Sequence, residues 1–238
     1  MASPDGCLYR LDPDLTVLSA AAAFTVSNGS SWSPDGRTFY FTDTMQSVTL
    51  AYDFDAENGT TQNRRTFVEM PAEEGYPAGH TVDREGFLWT AHWRGSRLSR
   101  YDRTGKKGRE IRLPAALVTC CAFGGPDLDE SYITTAWDGL DAAARYEQPM
   151  AGDLFRVRTG VQGMLPPKFA GCFPGPSEPL HQLDQRAVRV GGAHDADRVR
   201  RRHGIGQELH APAIQLRDRG CNVVHKERDP AHAGPEFG

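Results

Sequence analysis

The sequence lacks the features that mark secreted, membrane-spanning and nucleic-acid-binding proteins. Residues 1–12 carry neither a basic start nor an apolar core, so we expect no signal peptide. No apolar run approaches the roughly 20 residues needed to span a bilayer, and the alanine stretch at 20–23 is far too short. The net charge of −4, with 24% charged residues, predicts neither a nucleic-acid nor a membrane partner.

Cysteine is scarce: the chain has five, an odd number, and their spacing is irregular. Cys120 and Cys121 are adjacent, and neighbouring residues of a strand point to opposite faces, so they are poor disulfide partners. We therefore expect reduced thiols and a cytoplasmic location. The sequence also contains no P-loop, no dinucleotide fingerprint and no nucleophile elbow.

The composition changes abruptly near residue 171. Residues 1–171 hold 20 of the 22 aromatic residues and all of the Trp, Tyr, Thr and Met. The following 67 residues contain six of the eight histidines and 14 proline or glycine residues. Because one domain seldom changes its composition so sharply, we predict a boundary here, with domain 1–171 followed by a tail, 172–238.

Residues 1–171 are predicted to be all-β, with short strands between turns and no convincing helical segment. A tight turn rich in Asp and Gly, followed by a strand of β-branched and aromatic residues, recurs about every 45 to 50 residues, at 33–43, 82–91 and 125–136. This period favours a β-propeller, in which each blade repeats one unit; the alternative is an antiparallel sandwich. A partial unit at residues 5–11 brings the estimate to about three and a half blades.

Five segments resemble the family of senescence marker protein (regucalcin), gluconolactonases and luciferin-regenerating enzymes, in the same order and spacing. They are NGSSWSPDGRTFYFTDT (28–44), VDREGFLWTAHWRG (82–95), TCCAFGGPDLDESYITTA (119–136), AGDLFRVRTGVQG (151–163) and KFAG (168–171). The resemblance covers residues of about 4–171 and implies the C-terminal half of a six-bladed propeller. It further implies hydrolysis of sugar lactones such as gluconolactone, with a divalent cation, Ca²⁺ or Zn²⁺, in the central channel.

The resemblance also identifies candidate site residues. The family's metal ligands are an N-terminal Glu, the Asn of an Asn-Gly motif and the Asp of a Pro-Asp-Gly motif. Asn28 matches the Asn, although an Asn-Gly pair is also a common turn. The Pro-Asp-Gly motif reads Pro77-Ala78-Gly79 here, and alanine can neither bind a metal nor accept a proton. With the Glu expected to lie in the absent half, the resemblance implies weak or absent metal binding.

Four other polar residues near these motifs have plainer interpretations. His80, two positions after Ala78, would share its face in a regular strand; we consider it a channel-wall residue and less readily a metal ligand. Asp83 is expected to cap its turn, Asp43 to end a strand, and His92 to pack within one.

The tail departs from the family pattern completely. Its few large apolar residues and many polar and helix-breaking residues predict a disordered segment. We interpret it as foreign or frame-shifted sequence.

The sequence therefore leads to two functional hypotheses. One is a metal-dependent sugar-lactone hydrolase with an impaired site; the other is a non-catalytic propeller fragment that acts as a binding module or has no function. Because a partial propeller exposes its open edges, we also expect a homodimer.

Overall fold

The computed structural model describes residues 4–169 and the backbone of two short strands beyond them. These residues form an almost entirely antiparallel β structure, which confirms the all-β prediction. The strands are β1 Gly6–Leu11, β2 Val17–Phe24, β3 Ser27–Trp32, β4 Thr38–Asp43, β5 Val48–Asp55, β6 Thr60–Glu69, β7 Tyr76–Val82, β8 Leu88–Trp93, β9 Arg97–Tyr101, β10 Lys107–Arg112, β11 Leu117–Gly124, β12 Glu130–Ala136, β13 Leu154–Arg158, β14 Ala213–Gln215 and β15 Cys221–Val224.

The strands group into the blades of a partial propeller. Strands β3 to β6 pair in chain order and form blade one, and β7 to β10 do the same in blade two. Strands β11, β12 and β13 form blade three, with β15 and then β14 added beyond β13. The pairing of Leu117 with Trp93 joins β11 to β8, so blades two and three are connected in one nine-stranded sheet. Strands β1 and β2 make a separate pair before blade one. This arrangement of three blades and a partial unit is the predicted architecture.

The turns that begin the first two predicted repeats are built from a polar side chain and a glycine. Asp83 accepts hydrogen bonds from the backbone N–H groups of Glu85 and Phe87, while Gly86 takes a positive φ of 82°. In the first repeat the Ser33 hydroxyl accepts from Thr38 N–H and Gly36 has a φ of 67°. Only glycine adopts this backbone region without strain, so the Asp/Gly signal in the sequence located these hairpins correctly.

The hydrophobic core lies between consecutive sheets. Phe24 of β2 packs with Phe39 and Phe41 on one face of blade one. Tyr40, on the opposite face of blade one, packs with Leu88 of blade two. Further buried clusters of the same kind join blade two to blade three. Each blade is therefore stabilised by burial against its neighbours, as expected for stacked repeats.

A short helix is the main element that the sequence did not predict. Helix α1, Ala142–Glu147, lies in the connection between β12 and β13, and a 3₁₀ turn at Ala72–Glu74 precedes β7. The side chain of Asp141 caps α1 by accepting from Ala144 N–H. Six residues are too few for the periodicity that sequence reasoning requires, so the prediction of no helical segment was wrong here.

Strands β14 and β15 are the described part of the tail, and the prediction of disorder otherwise concerns residues outside the described part. In residues 4–169 the cysteines Cys7, Cys120 and Cys121 are free. No helix of the described residues has both the length and the apolar character required to cross a membrane.

Candidate active site

The two residues identified through the resemblance lie near the beginnings of adjacent strands. Strand β7 contacts both β3 and β11, so the first strands of the three blades lie side by side. Asn28 is the second residue of β3 and Ala78 is the third residue of β7. Topology therefore places both positions at the same end of this row of strands.

Asn28 is held by a local distortion of β3. The register of β3 against β4 shifts between Asn28 and Ser30, and Gly29 between them has a positive φ of 49°. The Asn28 side chain donates from Nδ2 to Thr44 Oγ1 at 3.2 Å, and its Oδ1 accepts from Gly29 N–H at 2.8 Å. Both ends of the amide thus have partners within the protein.

Ala78 lies in an apolar environment. It is 3% exposed and belongs to the cluster of Trp89, Ala91 and Val118 that joins blades two and three. Its methyl group offers no lone pair and no proton. Position 78 therefore contributes packing, and no polar chemistry, to this end of the strands.

His80 does not share the face of Ala78, because β7 carries a bulge. The register against β8 shifts between Pro77 and His80, so Ala78 packs toward blade three while His80 contacts blade one. The expectation of a shared face was wrong for this reason. His80 Nδ1 lies 2.8 Å from Ser31 Oγ, a pairing across 49 residues that no local spacing in the sequence could reveal.

The environment of His80 keeps its imidazole uncharged. The side chain is buried, and burial lowers its pKa to about 4. Its ring lies against Gly29, where an added Cβ would come within 2.6 Å of Nε2. The Nε2 atom has no hydrogen-bond partner in the protein.

His92 packs within β8, as predicted. It is fully buried, and its Nδ1 lies 2.9 Å from the backbone carbonyl oxygen of Glu74. Because a carbonyl only accepts, Nδ1 carries the proton and Nε2 carries a lone pair. Burial lowers the pKa of His92 to about 4, against a smaller upward effect of the Glu74 hydrogen bond.

The two aspartates have the structural roles that the sequence predicted. Asp83 is fully buried; besides its turn contacts it accepts from Trp89 Nε1 at 2.8 Å and pairs with Arg100 at 2.7 Å. Asp43 ends β4, and its carboxylate accepts from the N–H groups of Thr25 and Val26. Neither carboxylate is available as a base beside Ala78.

The donor set at this end of the strands does not fit a divalent cation. Ca²⁺ takes six to eight oxygen ligands, with carboxylates supplying charge, whereas Asn28 and Ala78 provide one engaged amide and one methyl group. Among the described residues, no group of three or more His, Cys, Asp or Glu side chains is arranged to hold a metal ion.

A cavity of about 370 Å³ opens at the other end of the strands, where the repeat turns lie. It is lined by Arg84, Glu85, Asp129 and residues 160–162. This cavity is remote from Asn28 and Ala78, since they lie where β3 and β7 begin and the cavity lies where β7 and β11 end.

Comparisons with protein families and with individual known proteins all identify the same family. The profile of the SMP-30/Gluconolactonase/LRE-like region matches residues 1–137. Regucalcin of Danio rerio is 42% identical over 169 residues, which are 70% of this chain and 57% of that protein. The chain thus spans little more than half the length of this relative.

Solved structures agree with the sequence comparison. The calcium-binding protein regucalcin of Agrobacterium tumefaciens superposes with a TM-score of 0.67 at 29% identity, covering 70% of this chain and 57% of that one. A luciferin-regenerating enzyme superposes with a TM-score of 0.62 at 34% identity, covering 67% and 54%. Both matches again involve about half of the larger protein.

Proposed function

Because the chain belongs to the SMP-30/gluconolactonase/LRE-like family, we propose that it is a metal-dependent sugar-lactone hydrolase by descent whose catalytic site is impaired. The observation that carries the proposal is Ala78, which occupies the position of the aspartate in the family's Pro-Asp-Gly motif. Hydrolysis of a lactone requires a group that takes a proton from the attacking water. The methyl group of Ala78 cannot take that proton, and its surroundings are apolar.

Asn28 retains the amide that the family's Asn-Gly motif supplies to the site. Its amide is partly exposed and lies where β3 begins. An amide can orient a bound lactone through hydrogen bonds, but it supplies neither the charge that attracts a cation strongly nor a base. The residues present therefore support ligand binding better than turnover.

The second candidate function is a non-catalytic binding module for small sugar lactones. It is favoured by the same position, because Ala78 is packed among Trp89, Ala91 and Val118 as an ordinary core residue. The two candidates share a ligand class and differ in whether a covalent bond is broken.

A hydrolysis assay separates the two functions. Gluconolactone opening is followed above the spontaneous rate, with Ca²⁺, Zn²⁺ or Mn²⁺ added, for the wild-type chain and for Asn28→Ala. An impaired hydrolase gives a weak rate that depends on the metal and is lost in Asn28→Ala. A binding module gives no rate in either protein, while equilibrium dialysis still detects the bound lactone. Strong turnover would contradict the proposed impairment.

The proposal includes a cytoplasmic location and excludes nucleic acid and membrane as partners. It is supported by the free thiols of Cys7, Cys120 and Cys121 and by a net charge of −4 without a basic surface run in residues 4–169.

A further inference from the structure

A layer of buried polar side chains lies between blades one and two. His80, Thr90, His92 and Ser99 form this polar layer on one face of blade two, and each is at most 5% exposed. Leu88, Thr90 and His92 occupy every second position of β8 and share one face, and Leu88 on that face packs against blade one. Ser99 shares the corresponding face of β9 with Tyr101, which packs in the same cluster as Leu88. The four side chains therefore face blade one together.

The members of the polar layer are direct neighbours. His80 pairs with Thr90 across β7 and β8, and Thr90 pairs with Ser99 across β8 and β9. Paired side chains have their Cβ atoms about 4.5–5.5 Å apart, and diagonal neighbours are about 7–8 Å apart. His92 follows Thr90 by two residues on the same face. These separations allow two imidazoles and two hydroxyls to converge on one point.

Each member presents a polar atom without a hydrogen-bond partner in the protein. These atoms are His80 Nε2, Thr90 Oγ1, His92 Nε2 and Ser99 Oγ. Leaving one such buried group unsatisfied costs about 1–3 kcal/mol. The facing hydroxyls of Thr42 and Thr49 on blade one bond to each other at 2.9 Å and do not satisfy the polar layer. These four atoms, with the orphaned Tyr101 hydroxyl on the same face, indicate that the layer binds something polar.

The two imidazoles are already oriented in the manner of metal ligands. A metal-binding histidine usually fixes its second ring nitrogen with a hydrogen bond to a neighbouring acceptor. His92 donates from Nδ1 to the Glu74 carbonyl oxygen, and His80 Nδ1 is paired with Ser31 Oγ. Both rings are neutral at physiological pH because they are buried. Each Nε2 is left for a ligand.

We propose that the polar layer binds one divalent transition-metal ion of the Zn²⁺ or Co²⁺ type, with His80 Nε2 and His92 Nε2 as its principal ligands. The hydroxyls of Thr90 and Ser99 would hydrogen-bond the water molecules that complete the coordination of the ion. Imidazole ligands suit these borderline ions better than Ca²⁺ or Mg²⁺. The Glu74 carboxylate acts electrostatically on His92 and forms an ion pair with Lys107, so the imidazoles themselves must supply most of the binding energy. The site uses neither Asn28 nor position 78.

Titration of the full chain with Co²⁺, followed by its visible d–d absorption, tests the site. We expect one equivalent of Co²⁺ to bind with the spectrum of imidazole coordination. His80→Gln and His92→Gln should each lower the affinity for that one equivalent of Co²⁺ by at least about tenfold. His194→Gln is the control, because the tail contains six further histidines that can bind metal without the polar layer. It should leave the spectrum unchanged.

Thermal unfolding provides a second readout, which does not depend on the absorption spectrum of Co²⁺. Zn²⁺ should raise the Tm of the wild-type chain and of His194→Gln, and at the same Zn²⁺ concentration it should raise the Tm of His80→Gln and His92→Gln clearly less. The Tm values without metal show whether the variants are folded. Equal Co²⁺ affinity and equal Zn²⁺ stabilisation in all four proteins would overturn the proposal and would assign the polar layer to ordered water.

Discussion

At the residue scale, we propose that the side chain at position 78 is what separates this chain, which has the family's fold, from the family's chemistry. The sequence motif identifies the position, and the structure shows what the alanine does there: it fills a contact with Trp89 and Val118. The proposed loss is chemical, since strand β7 is formed and the alanine side chain carries neither lone pairs nor a proton acceptor. The consequence can therefore be tested by single substitutions.

Ala78→Asp is expected to restore little activity and to cost stability. A carboxylate at a position 3% exposed should lower the free energy of unfolding by about 2 kcal/mol. One carboxylate and one amide are still far fewer oxygens than the six to eight that Ca²⁺ takes. Urea unfolding and gluconolactone hydrolysis, both with and without Ca²⁺, measure the two effects.

Ala78→Asn is the matched control for that substitution, because it has the same shape without the charge. Recovery of the Asp variant's stability by Ca²⁺, with no recovery in the Asn variant, would show that position 78 still completes a cation site. That result would contradict the expected outcome.

The buried histidines predict a dependence of stability on pH. Both have a native pKa of about 4, below the unfolded value of about 6.5. The unfolded chain therefore binds more protons between these values, and stability falls as the pH falls from 6.5 to 4. The slope is about 1.4 kcal/mol per pH unit for each histidine. Above pH 6.5 neither histidine contributes a slope.

Urea unfolding of the wild-type chain and of His80→Leu/His92→Leu between pH 4 and pH 8 measures this dependence. The double variant should show a clearly shallower slope between pH 4 and 6.5. Identical slopes in the two proteins would mean that the imidazoles are already solvated in the native state.

Residue roles set by local chemistry were predictable, and those set by a bulge were not. Asp83 and His92 were correctly assigned to a turn and to strand packing. The direction of His80 depends on the bulge between Pro77 and His80, which reverses the alternation of side chains. Its contact with Ser31 joins two blades. Neither feature has a signature in a single sequence.

At the scale of elements, one turn design is used twice in blade two with different burial. Asp83 and Asp102 each accept from the N–H groups two and four residues later. Asp83 also pairs with Arg100 and bonds Trp89, whereas Asp102 bonds only within its own turn among the contacts that the structure defines. The same residue type is thus a turn former at one hairpin and a link between strands at the other.

Asp83→Ala should therefore be much more damaging than Asp102→Ala. We expect a loss of about 3–5 kcal/mol for Asp83→Ala, since Arg100 and Trp89 Nε1 lose a buried partner. Asp102→Ala should cost about 1 kcal/mol, in the range of a lost capping bond. Urea unfolding of both variants compares them directly, and equal losses would contradict the role given to Asp83.

Element types followed from the sequence where the signal repeats. Strands β4, β8 and β12 lie where the turn-and-strand units predicted them. Helix α1 has only six residues, fewer than two turns, and its Asp141 cap is a weak signal without a longer periodic segment. Pairing between distant strands followed from the recurring period and from the resemblance, because hydrophobic alternation alone fits a sandwich equally well.

At the scale of the whole molecule, each blade depends on its neighbours for a covered face. Tyr9, Leu11, Val17 and Leu18 of the β1–β2 pair are 36% to 52% exposed. Exposed apolar strands favour self-association. We propose that the chain forms a homodimer through its open edges. Light scattering coupled to size exclusion should give twice the chain mass, and a stable, non-aggregating monomer would contradict the proposal.

The origin of the tail is a question of gene sequence. The change of composition directly after the KFAG motif at 168–171 favours a shifted or foreign reading frame. Resequencing of the locus should find the frame change near codon 171. An uninterrupted frame that encodes the same tail in related genes would show that the tail belongs to the protein.

We propose above all that this chain no longer holds a divalent cation tightly at the position of the family's metal site. Calorimetric titration of the full chain with Ca²⁺ tests it most directly, because imidazoles are poor ligands for this ion. We predict no saturable heat, in contrast to sites with dissociation constants of about 10⁻⁴ M or tighter. Saturable binding of one Ca²⁺ in that range, abolished by Asn28→Ala, would contradict the claim.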